Sequence, residues 1–180
     1  NYGGDISNSY ANVNIVSAPY GHMWVGGLVG RCSTGIISNS YSKGNIIFPS
    51  TSGDWIGGLV GEADCIITES YSTVDISSGN TYIGGLVGYL NGGEIYRSFA
   101  TGDVGGNDNI GGLVGYADSI IIQDAYATGS VTSSGWHSGG LIGALGYSGT
   151  TTNVYSTGTV NGNEGGVGGL IGDFTDSSYH

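Results

Sequence analysis

Asp75 and Asp103 lie 28 residues apart, Cys32 and Cys65 lie 33 apart, and Trp24, Trp55 and Tyr82 succeed one another at intervals of 31 and 27. Brought together, the two carboxylates could bind Ca²⁺ or share a proton. The two thiols could bridge, and the three rings could stack against a sugar. Each of these chemistries needs residues roughly one common interval apart to become neighbours. The other reactive groups are few and unconnected. Arg31, Lys43 and Arg97 are the only strong bases, and His22, His137 and His180 are the only histidines.

A repeat supplies the missing proximity. Gly-Gly-Leu-Val-Gly, or its Leu-Ile variant, begins at Gly26, Gly57, Gly84, Gly111, Gly139 and Gly168, in steps of 31, 27, 27, 28 and 29 residues. A second marker, an aromatic after a small residue, keeps the same phase at Tyr10, Tyr41, Tyr71, Phe99, Tyr126 and Tyr155. Periods of about 20 to 50 residues are those of solenoids and related arrays. Two markers that stay in register through loops of unequal length make each repeat one structural rung.

Side-chain parity sets the elements of a rung. Five places after the aromatic stand Ile15, Ile46, Ile76, Val104, Val131 and Val160, β-branched in every copy. The same parity holds small residues one place after the aromatic, at Ala11, Ser42, Ser72, Ala100, Ala127 and Ser156. The opposite parity is polar, through Asn14, Asn45, Asp75, Asp103, Ser130 and Thr159. This alternation predicts a half-buried strand that pairs in parallel with its equivalent in the next rung, ~4.8 Å away. The pentapeptide and its preceding residue are expected to form a second strand. Its adjacent Leu and Val columns either both enter the core, through a bend at the glycines, or leave Leu as an apolar lateral stripe. A third short strand is expected around Ile37, Ile67, Ile95 and Ile122, with Thr151 in the sixth copy. The aromatic ladder is expected at a corner, partly buried and stacked from rung to rung. No stretch carries helical periodicity with start and stop signals. The fold expected over 1–180 is one all-β domain, a parallel β-solenoid of about six rungs of 27–31 residues, with little or no helix.

In that frame each chemistry has a plainer alternative. Asp75 and Asp103 stack in adjacent rungs as weak Ca²⁺ candidates, or as part of a solvated polar ladder. Trp24, Trp55 and Tyr82, two residues before their pentapeptides, form a glycan-stacking platform or cover the open side of the coil. Cys32 and Cys65 share a corner of adjacent rungs, where they form a disulfide or lie as small buried hydrophobes. Metal ligation by them lacks nearby histidine. A polysaccharide-degrading site on a β-helix would need clustered acids or an activated base, and the three bases occupy unrelated repeat positions. An ice-binding ladder would need more than the one full Thr-x-Thr at Thr157 and Thr159. No P-loop, nucleophile elbow or metallopeptidase motif is present, so no enzyme activity and no cofactor is expected.

Composition narrows the partners. With 3 Lys and Arg against 14 Asp and Glu, the net charge of -11 repels nucleic acid and anionic membrane surfaces. No run approaches the ~18 apolar residues of a membrane span. Glycine is abundant at 38 residues and charge is scarce, which suits an extracellular or cell-surface protein. The chain starts at Asn1 rather than Met, as a processed chain or excised piece would.

The repeat, as in Ser40-Tyr41-Ser42-Lys43-Gly44-Asn45-Ile46 followed by Ile56-Gly57-Gly58-Leu59-Val60-Gly61, resembles the GLUG motif over essentially the whole chain. That family occurs in secreted and cell-surface proteins, including adhesin-like chains and surface peptidases of the immunoglobulin A type. The resemblance implies an extracellular β-solenoid serving as stalk, spacer or adhesive surface, and supplies no catalytic residues. Gly3-Gly4-Asp5-Ile6, leading to Tyr10, is in phase with Gly92-Gly93-Glu94-Ile95, and the far end closes on Leu170, Ile171, Phe174 and Tyr179 just where another aromatic strand would begin. A head-to-tail fibre of such chains is therefore expected, with itself as the main partner. The alternative is a repeat segment of a larger adhesin that meets glycans or a host or neighbouring cell surface.

Overall fold

The computed structural model describes residues 4–16, 23–49 and 54–174. Among them there is no helix, and the strand pairs are parallel, each joining a residue to its equivalent about thirty positions on. The second rung shows the plan. Ile36–Ser38 and Tyr41–Phe48 belong to the first sheet, Trp55–Gly57 to a second, and Val60–Ala63 to a third. The second and third sheets each hold six strands. Six levels, separated by five turns of the coil, make the expected β-solenoid.

Register follows the columns read from the sequence. Ile15 pairs with Ile46, Ile46 with Ile76, Ile76 with Val104, Val104 with Val131 and Val131 with Val160. Ile46 and Val131 are fully buried, while the exposed alternate residues include Asn45, Asp75 and Asp103. Each such Ile or Val taken from water contributes roughly 1.5–3 kcal/mol. The third-strand column is formed as well: Ile6, Ile37, Ile67, Ile95, Ile122 and Thr151 lie in one row.

The pentapeptide, expected as one strand, is divided between two sheets. In the second rung Gly57 ends a strand of the second sheet, Gly58 and Leu59 bend, and Val60 opens a strand of the third. The bend turns neighbouring residues to the same side, so Leu59, Leu86, Leu113 and Leu141 are fully buried together with Val60, Val87, Val114 and Ile142. No Leu stripe faces outward in these inner rungs. Glycine is required at the bend because the coil is thinnest there. A Cβ on Gly85 would fall 2.9 Å from the Cβ of Ala100, and one on Gly115 2.5 Å from the backbone nitrogen of Ile83. The small column after each aromatic is small for the same reason. This waist separates two apolar columns, one around Leu86, Val87, Leu90 and Ile95, the other around Ile46, Val74, Ile76 and Ile83.

The aromatic ladder sits at a corner. In every rung the residue two places before the ring has a left-handed backbone: Asn8, Asn39, Glu69, Arg97, Asp124 and Asn153, with φ from 44° to 55°. That conformation breaks the alternation, which would otherwise expose the ring. The inner rings are half-buried, and successive centroids lie 4.8–5.2 Å apart with planes within 10° of parallel. The small residue before the ring builds a second ladder. Ser40, Ser70 and Ser98 are buried, and each hydroxyl donates to the carbonyl two residues back in its own rung. Each also accepts the backbone N–H of the preceding rung's serine at 3.1 Å.

Candidate functional site

The corner made by the pentapeptide brings two columns side by side. One is the column two residues before each copy, Trp24, Trp55, Tyr82, Asn109 and His137. The other stands five residues after its first glycine and pairs in the order Arg31, Glu62, Tyr89, Tyr116, Ala144 and Asp173. Their side chains interlock across the bend. Trp55 lies 4.8 Å from Tyr89, Tyr82 lies 6.2 Å from Tyr89 and 5.7 Å from Tyr116, and Tyr89 lies 5.4 Å from Tyr116. The planes are inclined by 48° to 85°, and Trp24 meets Trp55 at 6.1 Å and 58°. Trp24, Trp55 and Tyr82 thus form a folded cluster rather than a flat shelf. Trp24 and Trp55 lie in strands, whereas Tyr82 is left-handed at φ 57°, as are Asn109 and His137 below it.

Charge is concentrated at the upper end of this corner. The Arg31 guanidinium lies over the Trp24 ring at 5.1 Å, and its Nε approaches Glu62 Oε2 at 2.6 Å. Glu62 is buried, and burial raises its pKa above the ordinary glutamate value, with Arg31 opposing and Asp64 adding to the rise. Burial also pushes the Tyr89 hydroxyl up to about 12, assisted by Tyr116, Asp118, Glu62 and Tyr82, and raises Tyr116 in the same way. These phenols remain protonated at neutral pH. They offer hydrogen-bond donors and ring edges, not a base or a nucleophile.

The remaining candidates fall elsewhere. Cys32 and Cys65 are joined by a disulfide with Cα atoms 5.8 Å apart, linking the first two rungs. Asp75 and Asp103 lie in adjacent rungs beside an open groove of about 400 Å³. Asp75 Oδ1 accepts the backbone N–H of Asp103 at 2.9 Å, and Asp103 Oδ1 accepts that of Ser130 at 2.8 Å. Each carboxylate therefore holds the next rung's backbone. No group of three His, Cys, Asp or Glu among the described residues is placed to hold a metal. At the ends, Tyr10, Leu170 and Phe174 are exposed, Gly4 is exposed, and Ile6 and Ile171 are partly buried. Gly3, Tyr179, His22 and His180 lie outside the described residues.

Spacing in the sequence does not single out Glu62, Tyr89 or Tyr116 and shows Arg31 only as a strong base, although the four form a column at constant offset from the pentapeptide. Only the bend shows that this column touches the Trp column.

The GLUG motif model matches residues 21–47, 79–105 and 106–132. This chain carries GLUG repeats. The second and third matches abut, and each runs from the second sheet through the bend and the third sheet to the aromatic strand. One GLUG repeat is thus one complete turn of the coil, and its Gly-Gly-Leu-Val-Gly signature is the corner where two sheets meet. No curated protein and no solved structure matches the chain significantly.

Proposed function

We propose that the chain is a structural subunit of an extracellular assembly, a stiff rod of GLUG turns extended along its axis by a second copy pairing on its open edges. The repeats and the solenoid fit a repeat-containing extracellular module, and we assign it no catalytic role. The carrying observation is that the two edges match as consecutive rungs do. One edge presents Ile6, Tyr10, Ile15, Val25 and Leu28, and the other presents Thr151, Tyr155, Val160, Val167 and Leu170, in the columns that pair throughout the interior. Charge favours the same contact. The column that begins with Arg31 ends with Asp173, so stacking sets Asp173 of one copy one rung from Arg31 of the next.

A translation that repeats without closing gives a filament. The disulfide supports an extracellular setting, since such bonds persist in oxidising compartments. Sedimentation velocity and electron microscopy test the assignment. The expected result is rods that lengthen with concentration and revert to single units in Val167→Lys, which sets a charge in a stacking column. A monodisperse monomer at all concentrations overturns assembly by copies, and favours a segment of a larger adhesin whose own neighbouring turns cover the edges.

A further inference from the structure

Trp136 differs from the rings of the aromatic corner. There, Trp24 carries a guanidinium on its face, and Trp55, Tyr82, Tyr89 and Tyr116 close on one another. Trp136 is 54% exposed, and its one ring neighbour among the described residues is His137, met edge-on at 6.1 Å and 70°. The residue is nevertheless fixed. Its backbone N–H donates to Asp108 Oδ1 at 2.7 Å. Gly165 of the next rung lies against the ring, so that a Cβ there would fall 2.6 Å from Trp136 Cε3. Gly165 thus backs the indole at Cε3 and Cδ2, while more than half of the residue stays exposed. A preplaced apolar face spares a ligand the entropy of ordering it.

Beside the ring is an open cavity of about 490 Å³, lined by Asp108, Asn109, Trp136 and His137. Its size falls within the roughly 300–1,000 Å³ of small-molecule sites. Its polar groups are held in place. Asn109 Oδ1 meets His137 Nδ1 at 3.1 Å, and His137 Nε2 lies 3.4 Å from Asp173 Oδ2. Asp108 Oδ2 accepts from Asn107 Nδ2 at 3.0 Å, and a carboxylate with about four acceptor positions can still take further donors.

We propose that this cavity binds a neutral pyranose unit of an oligosaccharide, with its C–H face on Trp136 and its hydroxyls on Asp108 and Asn109. A pyranose combines one apolar face with a rim of hydroxyls that donate and accept. The indole matches the first, and a carboxylate beside a carboxamide matches the second. A purely apolar ligand would bury, without a donor, the acceptor positions of Asp108 that Asn107 and the Trp136 backbone N–H leave open. An acidic sugar would meet Asp108 and Asp173 on a chain of net charge -11. The lining comes from the fourth and fifth rungs, while Gly165 behind the ring and Asp173 beside His137 belong to the sixth, the rung at the proposed end-to-end contact.

Titration of the intact chain, followed by tryptophan fluorescence, tests this with cellohexaose, mannohexaose and maltoheptaose as neutral probes. Oligogalacturonate serves as the acidic probe and tetramethylammonium as the cationic one. At least one neutral oligosaccharide is expected to bind more tightly than the acidic and cationic probes. Trp136→Ala should weaken it roughly tenfold, the scale of a lost aromatic contact. Trp136→Phe should recover part of the loss, and Asp108→Asn should weaken binding while leaving the melting temperature near wild type. Three outcomes overturn the proposal: no neutral probe binding, the acidic or cationic probe being preferred, or binding that survives Trp136→Ala and is lost in Trp55→Ala.

Discussion

Glu62 shows how much a single residue's setting matters on this surface. It is 4% exposed, pressed between the Arg31 guanidinium and the Tyr89 ring column, and burial outweighs Arg31 in setting its proton affinity. A carboxyl whose folded-state pKa is raised binds its proton more tightly folded than unfolded. Its contribution to stability is therefore full below the unfolded pKa and is lost as the pH rises through the folded one. The unfolding free energy of wild type minus that of Glu62→Gln should fall across the interval just above the usual glutamate value of 4.5. Urea denaturation of both proteins at several pH values measures it, and a flat difference would contradict a desolvated Glu62. The sequence marks Glu62 only as one carboxylate among fourteen acidic residues. Its burial comes from a bend in another part of the turn.

At the scale of the element, the pentapeptide is a corner whose glycines answer to backbone contact. Gly85 has its place because the carbonyl of Gly112 and the Cβ of Ala100 occupy the space a side chain would need. Gly105, by contrast, would bring a Cβ only to 3.6 Å from the carbonyl of Ile76, an ordinary contact. Gly85→Ala should therefore cost about 3 kcal/mol or more, as overpacking at an unyielding site does. Gly105→Ala should be neutral or stabilise by roughly 0.5 kcal/mol through the unfolded chain. Guanidinium unfolding of the two variants checks the contrast, and equal losses would sink it. The aromatic segment was legible from alternation because its buried column keeps one offset from the ring in every rung, even where Phe99–Ala100 and Val104–Gly106 form two separate strands. The pentapeptide strand was not, since adjacent Leu and Val columns fit either a bend or a two-faced ribbon until backbone angles are known.

For the whole molecule, each turn touches only its neighbours, so stability is distributed along the axis as a chain of local interfaces. The disulfide acts on one such interface, between the first and second rungs. Closing a span of 33 residues is worth about 3–4 kcal/mol in the loop-entropy account. Reduction should therefore fray the first rung, with faster amide exchange across Trp24–Cys32, while the strands from Ile83 to Leu145 keep their protection. Uniform loss of protection along the array would show one cooperative unit instead. What the sequence determined by itself was the period, the parallel stacking and the composition of each column, because equivalent residues recur at one interval and alternate between faces. Which columns become neighbours around a turn was decided only by the tertiary structure. Trp55 meets Tyr89, Arg31 covers Trp24, and Trp136 stands beside Asp108 because left-handed residues and glycine bends redirect the chain between strands, and spacing along the sequence does not encode those angles.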